Sequence, residues 1–471
     1  MNFIFYDLET TGRSLQWDQI LQVAAVLTDS NLNVLDTFNE TCKIRSYCLP
    51  DPEALLVNKL PIKSLLKSNY SLYQLIFNIF NKFNSWSPAI YIGYNSIQYD
   101  EEMLRSAFFT NLFDPYLTIK GENSRVDLLN IVRAANYFYP EKVKSQISSK
   151  GNPILKLDQI APLNGITDFI AHDALGDTKA TVLLAKLIKE KIPSLWDNNT
   201  VRQKKENILY KIENNLFCSL ESFFGRTKFF VLSYIGQHPL YKWALCFDLK
   251  NDPRKLEKMT DEELYLFLEE SPKKIRNIKS NKSPIILDQG YIDKIPDYQH
   301  LDKEILAKRH IFIKKNIPLQ KRILKYYYQK NEYGFNETSQ LDIFSEETIY
   351  KKFLSKYDLG LMKEFHSGDW VDKNKIKNRF RDKRLKYFAN LMLYEEQPNV
   401  LDQTTLNLIN KQIAERLLSK NKEKWLTIFD AYKKIDDLRE KHKDNSNNIS
   451  MLEDINKYIE SVEKKLQKYI I

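Results

Sequence analysis

Two carboxylates stand two residues apart in the first strand-like run of this chain, Phe3-Ile4-Phe5-Tyr6-Asp7-Leu8-Glu9-Thr10-Thr11-Gly12. Side chains alternate along a strand, so Asp7 and Glu9 project from one face. Like charges at the end of an apolar strand repel and lose hydration, a cost that a hard cation offsets. A turn entry uses the same pair without a metal, and the pair alone leaves both readings open. Asp100 follows Ile92-Gly93-Tyr94-Asn95-Ser96-Ile97-Gln98-Tyr99 and precedes Glu101-Glu102; by itself it reads as a helix N-cap. His172 and Asp177 lie five residues apart in Ala171-His172-Asp173-Ala174-Leu175-Gly176-Asp177, at the start of a helical pattern. A lone pair of this kind is a weak signal. The four acids gain weight together, because each occupies its own kind of element and the spacings fit one domain.

The elements that must position them follow from periodicity. Phe3 to Glu9, Ile20 to Thr28 and Val34 to Ile44 read as strands of an antiparallel meander turning at Asn31 and Asn33. A helix around Tyr73 to Phe83 and a short buried strand, Ala89 to Gly93, come next. Helices around Glu101 to Thr110, Asp127 to Tyr137 and His172 to Lys189 complete an α/β domain, ended by Pro193. Beyond Leu195-Trp196-Asp197 the texture changes to short β-like runs, Lys228 to Tyr234, Trp243 to Leu249 and Pro284 to Ile286, interrupted by a capped helix at Thr260-Asp261-Glu262-Glu263. From about Asp302 the pattern is helical. Three domains are expected: 1–195 α/β, 196–340 β-rich with a helical insertion, and 341–471 helical.

A chain of 471 residues exceeds the roughly 250 to 300 over which a single core keeps growing. No apolar run approaches the ~18 residues of a membrane helix, and Met1 leads into Phe3-Ile4-Phe5 without a basic leader, so a cytoplasmic protein with no membrane association is expected. Cys42, Cys48, Cys218 and Cys246 are too scattered for a disulfide framework or a zinc site. The net charge of +10 is unevenly placed: residues 1–200 hold 19 Lys+Arg against 21 Asp+Glu, leaving 52 against 40 for the remainder. A basic body beside a slightly acidic domain suits a polyanion; AT-biased coding produces a similar excess of lysine.

The ordered set Asp7, Glu9, Asp100, His172 and Asp177 resembles the DEDD superfamily of 3′-to-5′ exonucleases, in the branch ending in His-x-x-x-x-Asp, and within it the bacterial exonuclease I family. Gly93-Tyr94-Asn95, Phe113-Asp114-Pro115-Tyr116, Asn123-Ser124-Arg125-Val126-Asp127 and Ala171-His172-Asp173-Ala174 carry that closer likeness, over residues 1 to about 195. The chain departs from the family pattern at Leu8, where an aromatic is usual, and at Lys156, where an arginine is usual. The resemblance implies a ribonuclease-H-like fold followed by SH3-like and helical domains. It implies two Mg²⁺ ions, with Mn²⁺ as a substitute, held by Asp7, Glu9, Asp100 and Asp177. His172 would be the general base, and Glu9 would also meet the terminal 3′ hydroxyl. Arg105, Tyr116, Arg133 and Lys156 would contact the strand. The implied activity is hydrolysis of single-stranded DNA to 5′ mononucleotides in DNA repair and recombination, by a monomer that also docks the acidic C-terminal tail of single-stranded DNA-binding protein. An RNA-trimming relative and a non-catalytic single-strand platform are the competing expectations.

Overall fold

The computed structural model of the protein describes residues 1–169, 173–200, 204–335 and 343–470, with backbone alone over 331–335. The chain forms two compact units. One is discontinuous in sequence, Met1–Asn123 with Phe169–Lys179 and Asp342–Ile471; the other is Ser124–Asp168 with Ala180–Leu341.

In the discontinuous unit, strands β1 (Asn2–Thr10), β2 (Ile20–Thr28) and β3 (Val34–Thr41) form the expected antiparallel meander. Strand β4 (Ala89–Gly93) lies parallel to β1 on its other side, giving the order β3-β2-β1-β4. Alternation along β1 sends Ile4, Tyr6 and Leu8 into a core with Leu75, Ile79 and Phe83 of the helix Leu72–Trp86 and Leu104 and Phe108 of the helix Asp100–Thr110. Asp7 and Glu9 therefore emerge on the opposite face. The helix Leu72–Trp86 starts at a capping box in which Ser71 and Gln74 satisfy each other's backbone N–H groups. Two short helices, Pro52–Asn58 and Ile62–Leu66, were not legible in the sequence.

The C-terminal helices belong to the same unit. Leu361, Phe365, Phe380 and Phe388 join the core beneath the sheet, and a second core joins Leu21, Ile44, Leu49 and Leu55 to Ile413, Ile435, Leu452 and Ile459. The basic run from Lys373 to Lys386 is partly spent on this packing. Lys373 and Lys377 are each 6% exposed, Phe380 is in the core, and Arg384 pairs with Asp382.

The second unit carries an antiparallel sheet in the order Ile275–Ile278, Ala244–Asp248, Arg226–Gln237, Phe217–Phe223, Ile286–Leu287. Phe217, Phe230, Leu232, Cys246 and Ile278 fill its core. The helix Asp261–Glu269 interrupts the strands behind the Thr260–Glu263 capping box that the sequence announces. Among the described residues, no helix is long and apolar enough to cross a membrane.

Candidate metal and nuclease site

Asp7 pairs in register with Ala24 and Glu9 with Gln22, and a bulge follows at Glu9/Thr10 where β1 leaves the ladder. The exit is pinned from several sides. Tyr99 Oη donates to the Gly12 carbonyl at 2.6 Å and lies 2.6 Å from Thr10 Oγ1, while Asn58 Nδ2 donates to the Thr10 carbonyl at 3.0 Å. Gly12 is required here, because a Cβ would come within 2.6 Å of the Asp18 carboxylate, which accepts from Thr11 Oγ1 and the Ser14 N–H.

Asp177 arrives on the first turn of the helix Ala174–Lys191. Asp173 Oδ2 accepts from the Gly176 N–H at 2.9 Å, capping that turn, and Thr178 Oγ1 lies 3.4 Å from the Ala24 carbonyl, which seats it on β2. One carboxylate oxygen from each of Asp7, Glu9 and Asp177 falls within 4.8 Å of the others. Asp100 opens the helix Asp100–Thr110 as its first helical residue. Tyr99, not Asp100, occupies the N-cap, because a 3₁₀ turn over Ser96–Gln98 runs directly into the helix. Gly93 permits that turn: a Cβ there would meet Ser96 Cβ at 2.4 Å. His172 lies outside the described residues.

The electrostatics of the cluster are those of crowded anions. Burial, then the charges of Asp100, Glu9 and Asp177, hold the Asp7 carboxyl well above the usual range. Burial and then the charges of Asp177, Asp100 and Asp173 push Glu9 up to about 8. Asp100 thus acts on both acids of β1 while standing outside the closest triad. Among the described residues the donor set is all carboxylate oxygen, which fits hard divalent cations.

The remaining site residues divide by environment. Arg105 is 6% exposed and its Nε donates to Glu101 Oε1 at 3.0 Å; Glu101, itself fully buried, also accepts from Tyr6 Oη at 3.0 Å. The Arg105 guanidinium lies 5.4 Å from the centre of the Tyr116 ring, so the two residues expected to contact the strand stand together. Tyr116 is half-buried. In the other unit, Arg133 Nη1 donates to Asn130 Oδ1 at 2.8 Å, and Lys156 is exposed at the start of the helix Leu157–Leu163. Sequence reasoning missed the supporting residues Tyr99, Asn58 and Glu101. Asp173 had a legible signal, an Asp immediately before a helical pattern. A cavity of about 1230 Å³ opens beside the β1 exit loop, lined by Arg13, Asp18, Arg45 and Arg416, and none of the four acids lines it.

Residues 4–185 match the family model described as exonuclease, and residues 345–462 match that of the exonuclease I C-terminal domain. An exodeoxyribonuclease I of Buchnera aphidicola from Schizaphis graminum is 30% identical over 418 residues, 82% of this chain and 81% of that protein. Another, of Buchnera aphidicola from Baizongia pistaciae, is 28% identical over 490 residues, covering 100% of this chain and 98% of the relative. A solved structure of Escherichia coli exonuclease I in complex with a dA16 oligonucleotide superposes with a TM-score of 0.82 at 21% identity, over 98% of this chain and 99% of that one.

Proposed function

Because this chain belongs to the exodeoxyribonuclease I family, we propose that Asp7, Glu9, Asp100 and Asp177 hold two Mg²⁺ ions and that these residues carry its 3′-to-5′ hydrolysis of single-stranded DNA. The observation that supports the assignment best is the convergence of Asp7, Glu9 and Asp177 oxygens within 4.8 Å from two separate elements. Asp7 and Glu9 from β1 and Asp177 from the helix Ala174–Lys191 would hold the ions, with Asp100 supporting them from farther out. When bound, such ions offset the charge that develops on the phosphoryl and leaving oxygens and lower the pKa of water. Without them Glu9, pushed up to about 8, stays protonated at neutral pH, so cation loading and proton release are coupled at this carboxyl. Ionised, Glu9 accepts a hydrogen bond from the terminal 3′ hydroxyl. His172, with an ordinary pKa of ~6.5, takes the proton of the attacking water. The products are 5′ mononucleotides.

Arg105, Tyr116, Arg133 and Lys156 grip the strand, an aromatic under a base and cations on phosphates. The domains run 1–195, 196–340 and 341–471, the middle one SH3-like. The protein works as a cytoplasmic monomer in DNA repair, with Mn²⁺ as a substitute metal, and its basic half suits the acidic tail of single-stranded DNA-binding protein.

The test uses purified protein, Mg²⁺ and 5′-labelled oligomers. Single-stranded DNA should give a descending ladder, abolished by EDTA and by Asp177→Ala, and a 3′ phosphate should block it. Near-wild-type turnover by Asp177→Ala would withdraw the metal assignment. Preference for RNA would move the reading to an RNA-trimming enzyme, and strand binding without turnover to a passive platform.

A further inference from the structure

The hairpin formed by strands Phe217–Phe223 and Arg226–Gln237 turns through Phe224 and Gly225, with φ of +49° and +75°. Two consecutive positive φ values in a two-residue turn give a mirror-image turn, whose first position favours Asn, Asp or Gly. Phenylalanine is sterically disfavoured there. It is also 99% exposed, so its ring contributes nothing to the core. Neither local conformation nor burial accounts for this residue.

Its surroundings do. Phe223, beside it, is 38% exposed and pairs across the hairpin with Arg226, which is exposed. Lys228, also exposed, stands opposite Glu221, whose carboxylate is taken by Arg276 at 2.9 Å. A second hairpin tip of the same unit adjoins: Asn152 Nδ2 lies 3.7 Å from where Gly225 would carry a Cβ. That hairpin exposes Ile147, 63% accessible, and Lys150. A projecting ring with aliphatic and cationic neighbours is the equipment of a sequence-tolerant single-strand binder, which stacks bases and neutralises phosphates.

We infer that Phe224 is a base-stacking residue, and that the two hairpin tips hold a segment of the single-stranded DNA whose end is being digested. The inference rests on the reading of the chain as a single-strand nuclease. It assigns this patch to grip and leaves the chemistry to the acids.

The experiment compares full-length wild type, Phe224→Asn and Phe224→Trp in Mg²⁺. Affinity is read by anisotropy on a nuclease-resistant phosphorothioate oligomer of about 30 nucleotides, alongside thermal unfolding and turnover of a trinucleotide. Phe224→Asn should melt at or above the wild-type temperature, because the turn is relieved, yet bind the long oligomer roughly tenfold more weakly. Its trinucleotide turnover should be unchanged. Phe224→Trp should restore affinity and show added fluorescence quenching on binding. Wild-type affinity in Phe224→Asn would overturn the inference, as would a parallel loss of melting temperature and trinucleotide turnover. Self-association of the wild type abolished by Phe224→Asn, with affinity intact, would assign the patch to a second copy and also overturn it. Trinucleotide turnover by the wild-type protein tests the nuclease reading on its own, so the two fail separately.

Discussion

At Asp7, Glu9 and Asp177, burial and like charge act in the same direction, and with Glu9 protonated the metal-free fold bears the burial cost and the repulsion that remains. Neutralising one acid relieves part of that cost and, on the proposed assignment, removes a ligand at the same time. Asp7→Asn should therefore abolish turnover while raising the metal-free melting temperature by about 2 °C. Added Mg²⁺ should raise the melting temperature of the wild type and leave that of the variant nearly unmoved. Thermal unfolding of both proteins, with EDTA and then with Mg²⁺, checks the two statements together. A variant that melts lower than wild type in EDTA would show that Asp7 serves the fold, not a cation.

The element that joins the C-terminal helices to the first core is the helix Lys356–Ser367, and His366 is its pin. The ring stacks on Phe113 at 3.8 Å, with Nε2 2.8 Å from the Leu112 carbonyl and Nδ1 3.1 Å from Tyr73 Oη. Burial lowers its pKa to about 4, so the fold selects the neutral ring. Unfolded, the same ring titrates near ~6.5. The stability it contributes is complete above ~6.5 and is lost as pH falls toward 4, a total on the order of 3 kcal/mol. Urea unfolding across that window should show this slope in the wild type. His366→Leu should be less stable at neutral pH by about 1–3 kcal/mol, for the hydrogen bonds lost, and flatter toward acid. The sequence could not announce this pin, since a single His in a polar helical run has no local signature. β1 and β2, by contrast, were legible almost to the residue, because each is a short, mainly apolar and β-branched or aromatic run bounded by turn residues. The strands Phe217–Phe223 and Ile275–Ile278 escaped, for their pairing partners rather than their own residues make them strands. The order of the four acids was readable, but their convergence was not: it depends on a bulge, a 3₁₀ turn and a glycine with no room for a Cβ.

On the scale of the molecule, the main fact of assembly is that residues 342–471 complete the unit begun by residues 1–123. Without them, Phe109 loses the Phe388 ring that packs edge-on against it, and Leu21, Leu49 and Leu55 lose the partners with which they form the second core. A chain cut after residue 341 should be insoluble or lack a cooperative unfolding transition, although all four acids are present in it. Co-expression with residues 342–471 should recover soluble protein and turnover. Gel filtration and circular dichroism of the fragment, alone and with its complement, decide this; an independently folded, active 1–341 would refute it.

That shared core also fixes when in its own synthesis the nuclease becomes dangerous. A ribosome that has made the strand Asn2–Thr10 must still reach residue 342 and beyond before the core can close, roughly 15 to 90 seconds at ~5–20 residues per second. Throughout that interval the nascent chain carries its acids on an unfinished scaffold, so degradation of DNA begins only with chains whose C-terminal helices have already been translated.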